Sequence, residues 1–179
     1  MAITASDIIL RLATTAGSAG DTLAQADPNA SLGKYVSTTA LTTALHGLFD
    51  VITGAENAAS DVEYRCVFVL NNHGTLTLEN AVVYISSEVG GGAVVALAVD
   101  STAISAKGAS SPQALTVTDE QDDPAALSFS SPTTVATGLA LGSIPAGSVK
   151  AFWVRRTAAN TVAVDADGFT IGIGGDTAA

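Results

Sequence analysis

The sequence predicts an all-β fold: an antiparallel β-sandwich, immunoglobulin-like or jelly-roll-like, with an extended N-terminal arm. Short stretches alternate between the two faces of a strand with a period of two residues. Turn-forming residues separate these stretches roughly every 8 to 15 positions, which gives roughly seven or eight strands. Many short strands with regular turns are typical of a sandwich, and no internal repeat is evident.

Residues 1–35 differ from the rest of the chain and are predicted to be the extended N-terminal arm. The apolar residues Ile8, Ile9, Leu10 and Leu12 suit a short strand, whereas residues 14–31 are small, polar and offer little surface to bury. An arm with an apolar end often lies on a neighbouring subunit. We therefore expect these four residues to bind a partner; a flexible terminus is the alternative.

Residues 36–62 are predicted to form a short helix or a packed loop. Five apolar residues recur there at helical spacing: Leu41, Leu45, Leu48, Phe49 and Ile52. Thr39 is a candidate N-cap and Gly54 a candidate C-terminal stop. Gly47 opposes the helix, because an interior glycine costs about 1 kcal/mol relative to alanine.

Residues 63–179 are predicted to be the sandwich domain, beginning with two strands within residues 63–86 that are joined at a polar turn at 71–74. The first of these strands is apolar on both faces, so we expect it to be central and covered on both sides. After the turn, the alternation changes phase at residues 80–81, which predicts a bulge or kink.

Further strands or strand-like stretches are predicted at residues 93–99, 113–118, 127–129, 135–141, 149–156 and 169–173. Within 149–156, alternation places Arg155 and Arg156 on opposite faces. One of them can pair with nearby acidic residues, while the other faces solvent or a partner.

Charge and cysteine content restrict the partners and the compartment. Seventeen acidic against seven basic side chains give a net charge of −10, which argues against binding nucleic acid through its phosphates. No stretch approaches the roughly 20 apolar residues that cross a bilayer, and no secretory leader is recognisable. We expect a protein made in a cytoplasm, without a membrane partner, whose single Cys66 faces a core.

No residue pattern predicts an enzyme, a metal site or a cofactor. His46 and His73 are the only histidines, and neither is expected to meet Cys66 as a base would meet a nucleophile. The acidic loops 119–123 and 165–168 could gather oxygens around calcium, but the second lacks the distal glutamate of a calcium loop. Solvated surface loops are the preferred interpretation.

Four segments resemble virion structural proteins of tailed bacteriophages. They are residues 27–33 (Asp-Pro-Asn-Ala-Ser-Leu-Gly), 48–56 (Leu-Phe-Asp-Val-Ile-Thr-Gly-Ala-Glu), 63–69 (Glu-Tyr-Arg-Cys-Val-Phe-Val) and 144–157, with Ile-Pro-Ala-Gly at its start and Phe-Trp-Val-Arg-Arg-Thr at its end. The resemblance spreads over most of the chain and is greatest to capsid decoration, or cement, proteins. It carries over no individual site residue.

The resemblance implies a β-rich protein on the outer capsid surface of the virion, assembled in the bacterial host cytoplasm. Such a protein bridges and stabilises neighbouring subunits of the major capsid protein, often as a homo-oligomer and most often a trimer. The alternative is a tail or fibre β-sandwich module that binds a host glycan or receptor. That alternative requires exposed aromatic rings, whereas the aromatic residues here fall within strand patterns.

Overall fold

The structure is a computed structural model that describes residues 2–177. The strands are β1 Ile8–Thr14, β2 Tyr35–Ala40, β3 Val62–Asn71, β4 Leu78–Glu88, β5 Val94–Val99, β6 Ser105–Ala106, β7 Leu139–Ile144, β8 Ser148–Thr157 and β9 Phe169–Thr177. Helix α1 spans Gly54–Ala59, and single 3-10 turns occur at Ala5–Asp7, Pro28–Ala30 and Val135–Thr137. Residue 1 of the predicted arm and residues 178–179 of the predicted sandwich domain lie outside the described residues.

The described strands form two antiparallel sheets. The large sheet has the order β2-β1-β3-β8-β5, with β6 beside β8 past the end of β5. The small sheet has the order β7-β4-β9. The prediction of an all-β, antiparallel protein is confirmed, while the immunoglobulin-like or jelly-roll-like type stays a prediction.

β3 is the centre of the large sheet, as its two apolar faces predicted. It pairs with β1 on one side and with β8 on the other. Val67 and Val69 point into a first core, which the large sheet shares with β4 and β7 of the small sheet. Cys66 and Phe68 point into a second core on the opposite face. Both cores therefore depend on this one strand.

The second core is covered by irregular chain. The predictions of strands at 113–118 and 127–129 are wrong. The structure has only two isolated bridges there: Thr116 bridges to Gly33, and Ser130, just after the second range, bridges to Leu97. The segment 107–131 instead lies across the large sheet and packs apolar side chains on it: Ala114, Leu115, Val117, Leu127 and Phe129. Backbone hydrogen bonds also join this segment to residues 32–34, including Lys34 N–H to the Leu115 carbonyl (3.1 Å) and Val117 N–H to the Leu32 carbonyl (3.2 Å).

The N-terminal segment is a strand of the large sheet, which corrects the prediction of an extended arm. β1 lies between β2 and β3, where Leu12 is opposite Val67. Leu12 is buried, Ile8 and Leu10 pack on the first core, and Ile9 packs on the second. The physical reason is that β3 is buried, so its backbone groups require a partner strand on each side.

Residues 63–86 contain the two predicted strands, β3 and β4, but these strands do not form a hairpin. β3 belongs to the large sheet and β4 is the central strand of the small sheet. The turn at 71–74 therefore carries the chain from one sheet to the other. His73 stabilises this turn, because its Nδ1 accepts hydrogen bonds from the N–H groups of Thr75 (3.1 Å) and Leu76 (2.9 Å).

The bulge predicted at residues 80–81 is confirmed. The register of β4 shifts around Ala81 against β7 and β9. Asn80 has a φ of 51°, in the left-handed region that asparagine tolerates better than most residues.

The helix begins where the predicted helix was expected to end. Residues 41–53 form a loop whose Leu48 and Phe49 are buried, so the packed-loop alternative is correct there. Helix α1 starts after Thr53, whose Oγ1 accepts a hydrogen bond from Glu56 N–H (3.2 Å) while the Glu56 carboxylate accepts one from Thr53 N–H (2.5 Å). This capping box fixes the helix start, and the helical spacing of the preceding apolar residues has no effect.

Three later strands agree with prediction: β5, β8 and β9 match residues 93–99, 149–156 and 169–173 closely. The predicted strand at 135–141 begins with a 3-10 turn and enters β7 only at Leu139. A tight turn after Ile144 then leads into β8.

Candidate functional site

A cleft of about 1280 Å³ opens at one side of the first core. The loop 41–54 forms one wall, and residues 160–168 with the start of β9 form another. Leu10 of β1 and Arg156 of β8 also line it. The cleft therefore lies where the edge of the small sheet approaches the end of the large sheet.

Exposed aliphatic side chains concentrate at this cleft. Seven large apolar side chains are exposed among residues 2–177, and four of them line it: Leu45, Val51, Val89 and Val162. Leu45 is 67% exposed and Val162 is 59% exposed, and they lie on two different loops that line the cleft. A cluster of water-exposed aliphatic groups is typical of a protein-binding surface.

The lining of the cleft is acidic. It includes the carboxylates of Asp50, Glu88, Asp165 and Asp167, against the single guanidinium of Arg156. Because Arg156 is itself paired with carboxylates, its charge is already neutralised at the floor. The cleft suits an occupant that combines apolar side chains with positive charge.

Arg156 is buried and lies at the bottom of the cleft, where it is held by several hydrogen bonds. Its Nε donates a hydrogen bond to Glu63 Oε2 (2.7 Å), its Nη1 donates to the Asp50 carbonyl (2.5 Å), and its Nη2 donates to Asp50 Oδ1 (3.1 Å). Its Nη2 also contacts the Glu63 carboxylate. Burial raises the pKa of Glu63, and the charge of Arg156 opposes this rise.

Arg65 forms the second half of the same buried network and is fully buried. Its Nη2 donates to Glu120 Oε2 (2.5 Å) and to Asn29 Oδ1 (2.8 Å). The guanidinium of Arg65 lies 5.0 Å from the centre of the Phe49 ring, and that of Arg156 lies 4.6 Å from it. Phe49 thus ties the loop 41–53 to both arginines by cation–π contact.

Residues from four segments, 27–33, 48–56, 63–69 and 144–157, meet in this network. They supply Asn29, then Phe49 and Asp50, then Glu63 and Arg65, and finally Arg156. Sequence reasoning missed the network because its members are far apart along the chain. The available signal was a pair of charged residues, two positions apart, in a strand that is otherwise apolar on both faces.

The residues predicted to bind a partner are not brought together as a surface. Of Ile8, Ile9, Leu10 and Leu12, only Leu10 lines the cleft. Alternation along β1 turns Ile9 to the second core and the others to the first. Their main role is to hold β1 in its own sheet.

The groups weighed for catalysis are separated. Cys66 is buried in the second core, where burial raises the pKa of its thiol, while His73 lies in the turn after β3 and His46 in the loop 41–53. A buried thiol with a raised pKa is a poor nucleophile. Arg155 and Arg156 lie on opposite faces of β8, as predicted. Arg156 pairs with the carboxylates of Asp50 and Glu63, and Arg155 lies over the Phe129 ring.

The two acidic loops use their carboxylates to hold the chain. In 119–123, Asp122 Oδ2 accepts hydrogen bonds from the N–H groups of Thr118 (3.1 Å) and Asp119 (3.2 Å). In 165–168, Asp167 Oδ2 accepts one from Ala93 N–H (2.6 Å). Residues 2–177 contain no group of three or more His, Cys, Asp or Glu side chains placed to hold a metal ion.

Comparison with protein-family models, curated proteins and solved structures found no match to this chain. None of the helices in the described part of the chain has both the length and the apolar character required to span a membrane.

Proposed function

We propose that this chain is a structural protein of a tailed-bacteriophage virion that decorates the outer capsid surface and stabilises it by bridging subunits of the major capsid protein. The single observation that carries the proposal is the cleft with its exposed aliphatic rim, which provides a surface suited to another protein. The resemblance of the four segments supports the virion as the setting. In this proposal the protein works by binding and carries out no catalysis.

The composition of the cleft favours a protein occupant over a glycan. Sugars are usually held by stacking on exposed aromatic rings. The aromatic residues all lie among residues 2–177, and none of them is exposed. The tail or fibre module that binds a glycan is therefore the weaker alternative.

We also propose that the two sheets form a sandwich of the immunoglobulin-like or jelly-roll-like kind. Apolar residues of both sheets contribute to the first core, which supports face-to-face packing.

Cryo-electron microscopy of virions of the phage that encodes this chain tests the proposal directly. We expect density for the two sheets on the outer head surface, with the cleft against a major capsid subunit and the copies arranged as a homo-oligomer, most simply a trimer. Density at the tail tip or on a fibre would replace this proposal with the receptor-binding alternative.

A variant series tests whether the cleft is the docking surface. The double substitution Leu45→Ser and Val162→Ser should weaken co-sedimentation with purified capsids at least tenfold, because it removes two apolar contacts of about 1 kcal/mol or more each. The matched control is Leu23→Ser, whose side chain is 42% exposed but lies outside the cleft. Equal binding by both variants would exclude the cleft as the docking surface.

A further inference from the structure

Strand β9 presents an open edge beside the cleft. Among residues 2–177, β9 pairs with β4 alone, and its residues Phe169, Thr170 and Ile171 line the cleft. Its sequence contains no lysine or proline, the residues that commonly protect an edge from pairing. The edge is therefore available to another strand.

The register of the small sheet identifies the backbone groups at this edge. Ile85 of β4 is opposite Ile171 of β9, and the Ile85 N–H donates to the Pro132 carbonyl (2.8 Å), on the β7 side of β4. Ile85 and Ile171 are thus a pair without hydrogen bonds between them. In an antiparallel ladder, the N–H and C=O of Ile171, and of Ile173 two residues later, then point away from β4.

The side chains next to this edge are apolar and only half-buried. Ile171 and Ile173 pack on the first core from β9, and Leu10 and Leu41 pack on it from the large-sheet side. We call these four residues the seam. A strand added to β9 would place alternate side chains on the same face as Ile171 and Ile173, over the seam.

On its other face β9 carries glycines, and side chains from other elements cover them. Gly172 and Gly174 alternate with the two isoleucines, and a Cβ at position 172 would lie only 2.4 Å from the Tyr84 ring. The Tyr84 ring covers the space that a side chain would use. The residues of an added strand that alternate with those over the seam would lie beside these glycines, next to Tyr84 and Val135.

We propose that the partner binds by strand addition: an extended segment pairs with β9, and its alternate aliphatic side chains cover the seam. A lysine or arginine at the end of the segment beside Phe169 lies near the cleft carboxylates, while the other basic side chains lie beside the glycines of β9. This mode rests on the proposed function only in naming a capsid subunit as the source of the segment. A basic segment is the occupant because, beside the Asp50–Arg156 pair, the cleft is lined by three further carboxylates, those of Glu88, Asp165 and Asp167. A second copy of this chain, with a net charge of −10, lacks that complementarity.

Amide hydrogen exchange with a synthetic peptide tests the strand-addition mode. The probe is Lys-Val-Lys-Val-Lys-Val-Lys, and the control peptide has the same composition with its three valines adjacent. With the probe we expect at least tenfold slower exchange at the Ile171 and Ile173 amides. The Gly172 amide, which faces β4, serves as an internal control and should change little. Absence of slowed exchange at Ile171 and Ile173 would overturn the proposal.

A pair of variants tests the same edge. Ile171→Pro removes an outward N–H without removing a hydrogen bond to β4, and Ile171→Val keeps that N–H with a similar side chain. We expect Ile171→Pro to lose probe binding at least tenfold while Ile171→Val retains it. Thermal unfolding checks that each variant is folded. If Ile171→Pro does not fold, the exchange measurement on the unaltered chain alone tests strand addition.

The outcomes separate this inference from the proposed function. Virion binding without slowed exchange at Ile171 and Ile173 would overturn strand addition and leave the decoration role. Probe binding with slowed exchange, but no binding to virions, would support strand addition and overturn the decoration role. Exchange at these amides that slows with protein concentration alone would identify a second copy as the occupant and overturn the basic partner.

Discussion

The two faces of the large sheet are closed in different ways. The second core is sealed by the segment 107–131, which is held by hydrogen bonds to buried polar side chains. The first core is covered by the small sheet, which leaves one side open at the cleft. The comparison indicates that one face of the sheet is fully covered by its own chain, while the other leaves apolar side chains exposed at the cleft.

Buried polar side chains act as fixed acceptors on the closed face. The Asp100 carboxylate accepts hydrogen bonds from Trp153 Nε1 (2.8 Å), Leu115 N–H (2.9 Å) and Thr102 N–H (2.7 Å). Gln113 is buried as well, and its Oε1 accepts from a backbone N–H of β2. These bonds fix the position of a long segment that has no strand of its own.

On the open face, the Arg65–Arg156 network holds the loop 41–53. Phe49 and Asp50 connect this loop to the two arginines, while Leu45 and Val51 of the same loop are exposed. The loop is therefore anchored at one point and presents its remaining apolar residues to the cleft.

Removing β1 should have the largest effect, because this strand contributes to both faces. Deleting residues 2–14 exposes the edge of β3 and removes Leu12 and Ala13 from the two cores. We expect loss of cooperative thermal unfolding followed by circular dichroism. Replacing the exposed residues 15–18 with glycine and serine is the control and should keep the transition. A folded deletion variant would return residues 2–14 to the status of an arm.

Substituting Arg156 should destabilise the open face more than substituting its neighbour. Arg156→Ala leaves Glu63 buried without its main partner, which costs about 3–5 kcal/mol of unfolding free energy. Arg155 lies on the other face, half-buried and 5.1 Å from the centre of the Phe129 ring, so Arg155→Ala should cost about 1 kcal/mol or less. Urea denaturation measures both values. Equal losses would show that the network contributes no more than a surface cation–π pair.

Substituting Asp100 should loosen the closed face. Asp100→Ala leaves the Trp153 indole N–H and two backbone N–H groups without an acceptor, at a cost of about 1–3 kcal/mol. The control Asp119→Ala changes an exposed carboxylate and should cost about 0.5 kcal/mol or less. Near-ultraviolet circular dichroism of Trp153 would report the local change. An unaltered Trp153 signal and unchanged stability would contradict this account of the closed face.

The smallest effect is expected from a pH-dependent ion pair beside the closed face. Burial alone would raise the pKa of Asp21, but hydrogen bonds from Lys107 and Arg11 outweigh it and hold this pKa below its ordinary value of 3.8. Ionised Asp21 therefore stabilises the folded chain above that value, and the contribution is lost as the pH falls through the lowered pKa.

The unfolding free energy of the unaltered chain should exceed that of Asp21→Asn by about 1 kcal/mol or less near neutral pH. The difference should shrink as the pH falls below 3.8. A difference independent of pH would assign the effect to side-chain packing instead of charge.

Much of the strand content could be predicted from the sequence because a period of two residues is a local property. It located β3, β8 and β9 and placed Cys66 in a core, while an apolar run of strand length located β5. The alternation also located the bulge at residues 80–81. None of these features requires knowledge of which strand lies next to which.

The candidate site could not be predicted in the same way. The cleft joins the loop 41–54 to residues 160–168, and the network at its floor joins Asn29 to Arg156. Such distant residues meet only when the sheets have formed. The helical spacing of apolar residues at 41–52 also led to a wrong helix prediction. Tertiary contacts hold this segment as a loop.

The sequence by itself determined that the protein is built from antiparallel strands, since side-chain alternation and turn residues act over a few positions. Only the tertiary structure decided that β1 is inside the large sheet, that β3 and β4 belong to different sheets, and that one side of the first core stays open. The physical reason is that the choice of strand neighbours depends on burying apolar surface and pairing backbone groups across the whole chain.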